Sequence, residues 1–248
     1  MLPYINIFGK AIPVYGLCIV LGFTAAGIII KLRCRQLSYD KVIVLCSLTL
    51  AGMVFGGSAL YVIVTYPPEY ILYSIKKFDF SFLMSGMVFY GGVAGGLGGM
   101  LLGKKLVGIP FTLLEDLVIP LVPMGHALGR VGCTMAGCCH GIEYYGIFAI
   151  KNVHYPPEMS FFPVQPVEAV FNVLIGICLF IYIKKPHKKG DVILRYFLMY
   201  PPLRFCLEFL RGDRARGIYA GLSTSQWISL VLFAVAIFIS LKKLRKLS

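Results

Sequence analysis

Seven long apolar segments are the feature that most limits how this chain can fold. They run over residues 13–31, 42–65, 83–103, 112–133, 167–183, 192–210 and 225–241. Each is about 17–24 residues long, which is the length of helix needed to cross a hydrocarbon core of ~30 Å. Only 14% of the residues are charged, compared with about 25% in a soluble domain. The sequence therefore predicts an all-α integral membrane protein with about seven transmembrane helices, forming one polytopic domain over residues 1–248.

Two of these segments are irregular. The fourth contains Pro120 and Pro123, and proline inside a helix predicts a kink. The third is dense in glycine, a composition that favours close packing of one helix against another; its glycines are Gly86, Gly91, Gly92, Gly95, Gly96, Gly98 and Gly99.

The net charge of +13 is unevenly distributed. Of the 24 lysines and arginines, 14 follow spans one, three, five and seven, seven lie in the other loops, and three lie in spans or at their ends. By the positive-inside rule, this asymmetry predicts an external amino terminus and a cytoplasmic carboxyl terminus. The charge is therefore explained by membrane topology, and no nucleic-acid partner is expected. The longest outer loop, residues 134–166, is rich in proline and aromatic residues and predicts a small extracytoplasmic cap.

Charged residues in the apolar segments mark a candidate site, because charge inside a bilayer is costly and usually functional. Arg130 lies near the outer end of span four, and Arg204 and Glu208 lie one helical turn apart in span six. These residues form either an ion pair that fixes packing or a site for phosphate, which arginine binds with a planar fork of donors. Arg211 and two further arginines in loop 211–217 favour an anionic lipid headgroup.

Cys133, Cys138, Cys139 and His140 form a C-x4-C-C-H cluster beside Arg130. The cluster is open to four interpretations: a zinc site, a disulfide, a reactive thiolate, or packing of small residues. A cation beside a cysteine lowers its pKa, so a thiolate at Cys138 assisted by His140 is one catalytic candidate. The spacing differs from that of common zinc motifs, and we expect no metal and no cofactor.

Three more polar residues lie at the ends of spans one and five. Tyr15 begins the first span, where it serves either as an interfacial anchor or as part of a site. Gln165 and Glu168 open the fifth. There, Gln165 is a candidate helix cap and Glu168 a favourable charge near a helix amino terminus, or both contribute to binding.

Taken in order along the chain, these motifs resemble the bacterial prolipoprotein diacylglyceryl transferase family. The resemblance covers nearly the whole chain. It rests on Tyr15-Gly16-Leu17, Gly86-Met87-x-Phe89-x-Gly91-Gly92, Gly129-Arg130-x-Gly132, Gln165-x-x-Glu168, Tyr200-x-x-x-Arg204-Phe205-x-x-Glu208-Phe209 and Ser225-Gln226-Trp227.

The resemblance implies a multi-pass enzyme of the bacterial plasma membrane that acts in lipoprotein biosynthesis. It would move the diacylglyceryl unit of phosphatidylglycerol, or a similar anionic phospholipid, to the cysteine thiol of a prolipoprotein, and glycerol phosphate would leave. The catalytic candidates are Tyr15, Arg130, Cys138, His140, Tyr200, Arg204 and Glu208. The substrate-binding candidates are Tyr90, Gly91, Gly92, Cys133, Gly141, Gln165, Glu168 and Arg211.

The chain departs from the family pattern at four positions. Tyr90 replaces a histidine, Cys133 and Ala136 replace asparagines, and Cys138 replaces a glutamate. The phosphate-binding residues are kept, so the departures concern the acceptor, for which a thiol, an amine or a sugar hydroxyl are alternatives. A non-catalytic lipid binder and a small-solute transporter on the same scaffold are the competing functions.

Overall fold

The computed structural model describes residues 1–7, 9–79, 81, 86–212 and 218–245, with the side chains of Ile7, Phe89, Tyr90 and Leu244 excepted. Along this part of the chain, the helices are α1 (Val14–Arg33), α2 (Tyr39–Thr65), α3 (Pro68–Lys76), α4 (Phe89–Val107), α5 (Phe111–Val118), α6 (Leu121–Ala136), α7 (Val164–Tyr182), α8 (Asp191–Glu208) and α9 (Thr224–Leu244). The strands β1 (Tyr4–Ile7) and β2 (Lys10–Pro13) form an antiparallel hairpin, as do β3 (Ile218–Tyr219) and β4 (Leu222–Ser223).

The helices follow the predicted apolar segments, and the chain is a mostly helical multi-pass membrane protein. Within the described residues, five stretches are long and apolar enough to cross a membrane. Four are the helices α1, α2, α7 and α9, and the fifth is Phe111–Ala136, which contains α5 and α6. Helix α8 carries Asp191, Arg195, Arg204 and Glu208, which explains its lower apolarity. The total of seven spans remains a prediction.

The kink predicted in the fourth segment is confirmed. Helix α5 ends at Val118 and α6 begins at Leu121, so the break falls at Pro120, where the ring removes a backbone N–H donor. The short elements outside the spans, namely the β1–β2 and β3–β4 hairpins and α3, were not predicted. They lie outside the long apolar segments whose length was used to predict helices.

Residues 26–114 form one of two compact units. Its main contact joins α2 to α4 through facing glycines. A Cβ built on Gly95 would lie 2.0 Å from the carbonyl oxygen of Gly52, and one built on Gly91 would lie 2.2 Å from that of Gly56. Only glycine permits this backbone approach, which confirms the close packing predicted from the glycine content.

Residues 1–25 and 115–248 form the second unit, in which α6 packs against α7, α7 against α8, and α8 against α9. Ile175, Leu179 and Val192 are buried at the centre of the α7–α8 contact. The carboxylate of Glu115 accepts hydrogen bonds from the N–H groups of Gly190 (2.8 Å), Val192 (2.9 Å) and Ile193 (3.1 Å). These bonds satisfy the free donors at the start of α8 and anchor the helix that carries Arg204.

Candidate functional site

The polar residues predicted in separate spans meet inside the second unit. The second half of α6 supplies Arg130, the second turn of α7 supplies Glu168, and the end of α8 supplies Arg204. The segment between α6 and α7 lies at the same helix ends, since Ile142 N–H donates to the carbonyl oxygen of Leu210 just beyond α8 (3.0 Å). The site therefore lies where the predicted cap joins the helices.

Glu168 is the centre of this cluster, and its side chain is 1% exposed. Arg130 Nε lies 2.9 Å from Oε2, and Arg130 Nη2 donates a hydrogen bond to Oε1 (3.2 Å). The Tyr200 hydroxyl also donates to Oε1 (3.1 Å), and Arg204 Nη1 lies 3.8 Å from Oε2. One buried carboxylate thus holds two guanidinium groups side by side, which meets the need of a buried charge for a partner.

Arg204 has capacity left for a further acceptor. Its Nη2 contacts Glu208 Oε2 (2.5 Å) and donates to Ser225 Oγ (3.4 Å). Its Nη1 is buried and has no hydrogen-bond acceptor among the described residues. A buried donor without an acceptor is costly, so this geometry favours an anionic ligand beside Arg204. The Arg204–Glu208 ion pair considered from the sequence is present, and it leaves half of the guanidinium fork available.

His126 belongs to this cluster and was missed in the sequence analysis. Its Nε2 lies 3.6 Å from Glu168 Oε1, and its ring packs edge-on against Tyr200 at 5.3 Å between centroids. His126 lies one helical turn before Arg130 on α6, so the i, i+4 spacing was the signal that could have identified it. Tyr196, stacked on Tyr200 at 5.6 Å, is a second missed neighbour.

Gln165 has a different role from the helix cap considered above. The N-cap of α7 is Pro163, and among the described residues no side-chain cap bond is formed there, so the capping interpretation of Gln165 is wrong. Gln165 is fully buried, and its Nε2 donates to the carbonyl oxygen of Cys138 (2.7 Å). Its Oε1 has no donor among the described residues. Gln165 therefore holds the turn that carries the cysteines.

The three cysteines are brought together by the way α6 ends. Gly137 adopts a left-handed conformation (φ 73°), Gly137 N–H donates to Thr134 O, and Cys138 N–H donates to Cys133 O (3.2 Å). These two bonds form a Schellman motif, which reverses the chain over the last turn. As a result, the sulfur atoms of Cys133, Cys138 and Cys139 all lie within 4.8 Å of one another.

The surroundings of the thiols favour a thiolate at Cys139. Hydrogen bonds from the Cys133 and Cys138 thiols, followed by the positive charges of Arg211 and Arg130, hold the pKa of Cys139 well below its ordinary value. The Cys133 thiol also lowers the pKa of Cys138, but the hydrogen bond to Cys139 and burial outweigh it and leave that pKa raised. From the sequence, the candidate for a reactive thiolate was Cys138.

Tyr15 borders the same cluster. It is 42% exposed and lies close enough to the three thiols and to Arg130 to interact with them electrostatically. A Cβ built on Gly132 would lie 3.0 Å from the Tyr15 ring, so α1 and α6 pack closely at this point. Tyr15 thus packs against α6 at Gly132, two residues from Arg130, and its part in the site stays a prediction.

His140 and Gly141 organise the cap. The carbonyl oxygen of Gly141 can only accept, so His140 Nδ1–H donates to it (2.9 Å) and Nε2 accepts from the Tyr155 hydroxyl (2.7 Å). Gly141 pairs with Arg211 in a β-bridge, and a Cβ there would lie 2.3 Å from Phe162 O. Gly141 thereby allows the close approach that places Arg211 near the thiols.

The remaining predicted residues belong to the other unit or lie outside the described part of the chain. Gly91 and Gly92 lie on α4 in the other unit, where Gly91 contacts the α2 backbone. The Tyr90 side chain, Arg214 and Arg216 lie outside the part of the chain that the structure describes.

Comparison with known proteins agrees with the motif resemblance. A profile of the prolipoprotein diacylglyceryl transferase family matches residues 3–242. A phosphatidylglycerol–prolipoprotein diacylglyceryl transferase of Clostridium tetani is 34% identical over 239 residues, covering 94% of each chain. A second protein of that name, numbered 2, from Clostridium perfringens is 33% identical over 246 residues, covering 97% of this chain and 94% of its own. The similarly named protein of Bordetella avium is 30% identical over 235 residues, covering 90% and 87%.

Proposed function

The chain belongs to the prolipoprotein diacylglyceryl transferase family, and on that premise we propose that it transfers the diacylglyceryl unit of phosphatidylglycerol to the cysteine thiol of a prolipoprotein. Both substrates are those in the names of its relatives. The enzyme acts in the bacterial plasma membrane, with its amino terminus and the cap on the outer side, where the phosphate-binding cluster lies.

The arrangement of Arg130 and Arg204 around Glu168 is the observation that carries the proposal. Glu168 faces both guanidinium groups, and Glu208 contacts Arg204 from the other side. The buried Nη1 of Arg204 has no acceptor among the described residues. A phosphodiester beside this pair would add one negative charge and accept a hydrogen bond from this remaining donor. The planar fork of arginine donors matches the spacing of phosphate oxygens.

The reaction is a substitution at the glycerol carbon that bears the phosphate oxygen. The acceptor sulfur, as a thiolate, forms a bond to this carbon while the carbon–oxygen bond breaks. The departing oxygen keeps the electron pair, so glycerol phosphate leaves with one more negative charge than it carried in the lipid. Arg130 and Arg204 stabilise that developing charge, which is the role of preorganised donors in the transition state.

Glu168 and Tyr200 are positioning residues in this scheme. Glu168 fixes the Arg130 fork through two contacts, and the Tyr200 hydroxyl fixes Glu168. Glu208 holds the opposite edge of Arg204. These contacts lock the arginine rotamers before lipid binds, so little reorganisation is required when charge develops.

Complementation tests the proposal in cells. A strain depleted of its own lipoprotein transferase should grow when it expresses the wild-type chain, and it should not grow with Arg130→Gln or Arg204→Gln. Lys151→Gln, an exposed change of charge in the cap, is the matched control and should rescue growth. Failure of the wild-type chain to rescue, with membrane levels equal to those of a rescuing homologue, would refute the proposed acceptor.

A further inference from the structure

The three cysteines are the group in the site whose role the transfer chemistry leaves open. Their sulfurs lie within 4.8 Å of one another. In a tetrahedral zinc site with zinc–sulfur bonds of ~2.3 Å, two sulfurs stand about 3.8 Å apart. The sulfur separations are therefore within about 1 Å of those that a shared zinc ion requires.

We propose that Cys133, Cys138 and Cys139 form a zinc site whose fourth coordination position takes the thiol of the acceptor cysteine. Zinc is commonly tetrahedral, and sites with three protein ligands keep one position open. The linear spacing of the cysteines had suggested no metal. The Schellman motif changes that expectation, because it folds Cys138 and Cys139 back onto Cys133.

The surrounding charges fit a three-thiolate zinc site. Three thiolates and one Zn²⁺ carry a net charge of −1. Arg130 and Arg211 interact electrostatically with the Cys139 sulfur, so their positive charges offset this excess. The site also has access from outside, because Cys138 is exposed while Cys133 is only 9% exposed.

The role of the metal, unlike its binding, rests on the proposed transferase function. The acceptor must react as a thiolate, and a thiol bound to zinc loses its proton outright. That proton passes to water, the zinc-bound sulfur attacks the glycerol carbon, and the carbon–oxygen bond to phosphate breaks. His140 is not positioned as a base for this step, because both ring nitrogens are hydrogen-bonded within the cap.

Metal content and a cobalt spectrum test the site without relying on activity. The purified, reduced full chain in detergent is loaded with Zn²⁺, washed, and analysed for bound metal. We expect about one Zn²⁺ per chain and an affinity at least roughly tenfold lower in Cys138→Ser. The control Cys34→Ser/Cys178→Ser removes two thiols outside the cluster and should bind like the wild type. Because Cys138 is exposed, its substitution is expected to leave the fold intact, which a thermal melt verifies.

Cobalt then reports on the fourth position. The Co²⁺ form should show thiolate-to-metal absorption and the visible bands of a tetrahedral site, which are sensitive to the ligand set. A short peptide with one cysteine should shift these bands, and its serine counterpart should not. Absence of metal from the reduced wild-type chain would overturn the site. Bound cobalt with no response to the cysteine peptide would overturn its role in acceptor binding.

The transfer assay separates this inference from the proposed function. If the metal-free chain transfers the lipid at the wild-type rate, the zinc role is overturned and the transferase function stands. If zinc and the cysteine peptide bind but neither the zinc-loaded nor the metal-free chain transfers lipid, the transferase function is refuted and the metal site stands. If the metal-free chain loses transfer and regains it with Zn²⁺, both the zinc role and the transferase function are supported.

Discussion

Replacing Glu168 with glutamine tests whether one carboxylate holds the arginine pair. Glu168→Gln keeps the side-chain shape and removes the charge. The carboxylate is 1% exposed, contacts Arg130 through both oxygens, and lies 3.8 Å from Arg204. The variant leaves Arg130 without its counter-charge, whereas Arg204 keeps Glu208. Removing one partner of a buried ion pair costs about 3–5 kcal/mol.

A thermal melt in detergent, followed by size-exclusion chromatography after heating, measures this cost. For a chain of this length, each kcal/mol corresponds to about 2–4 °C, so Tm should fall by roughly 6–20 °C. The matched control is Glu158→Gln, the same chemical change at an exposed position of the cap. It should change the free energy of unfolding by less than about 0.5 kcal/mol.

Lipid provides a second measurement on the same variant. Phosphatidylglycerol supplies a negative charge beside the arginines, so it should raise the Tm of Glu168→Gln by more than it raises that of the wild type. If Glu168→Gln melts at the wild-type temperature, the carboxylate does not carry the compensating charge. The geometry proposed for the arginines would then be refuted.

Three further changes probe the fold around the site. Gly95→Val should destabilise the chain by about 1–3 kcal/mol or more through overpacking against the Gly52 carbonyl. The control Gly98→Ala, which has no atom near its Cβ, should not lower Tm. Equal losses of stability in the two variants would contradict the packing argument. Gly137→Ala, at φ 73°, should cost about 1–3 kcal/mol and slow disulfide cross-linking of Cys133 with Cys138; unchanged cross-linking would contradict the turn's role. Hydrogen bonds to the Lys185 carbonyl, the larger effect, and to Asp116 raise the pKa of His187 above 6.5. The protonated His187 therefore stabilises the fold fully below pH 6.5, and this stabilisation is lost as pH rises through the raised pKa. His187→Gln should remove this part of the pH dependence of Tm. A variant whose Tm varies with pH as in the wild type would contradict the role given to His187.

The long-range architecture was predictable because a bilayer imposes strong rules on sequence. Segment length indicated the helices, and the prolines between α5 and α6 indicated the break that the structure shows. The glycines of α4 indicated close packing, which occurs against α2. The hairpins β1–β2 and β3–β4 and helix α3 were missed because they lie outside the long segments that a membrane requires.

The charged residues of the site could be identified from the sequence, but the contacts between them could not. Arg130, Arg204 and Glu208 were identified because charge is costly in an apolar span, and Glu168 as a polar residue at the start of the fifth span. That Glu168 bridges the two arginines depends on how α6, α7 and α8 pack, which no local pattern encodes. The contact of Gln165 with the Cys138 carbonyl is likewise tertiary. The close approach of the three thiols follows from the left-handed Gly137, a turn that the spacing of the cysteines does not reveal.

The most direct test of the account is a paired measurement of both products in a purified system. The chain is reconstituted with phosphatidylglycerol labelled in its headgroup glycerol and with a peptide containing one cysteine. The account predicts that one glycerol phosphate is released for each thioether formed on the peptide. It also predicts that Arg204→Gln lowers kcat by about 10²–10³-fold while the protein remains folded. Release of glycerol phosphate without thioether, or full activity of Arg204→Gln, would contradict it.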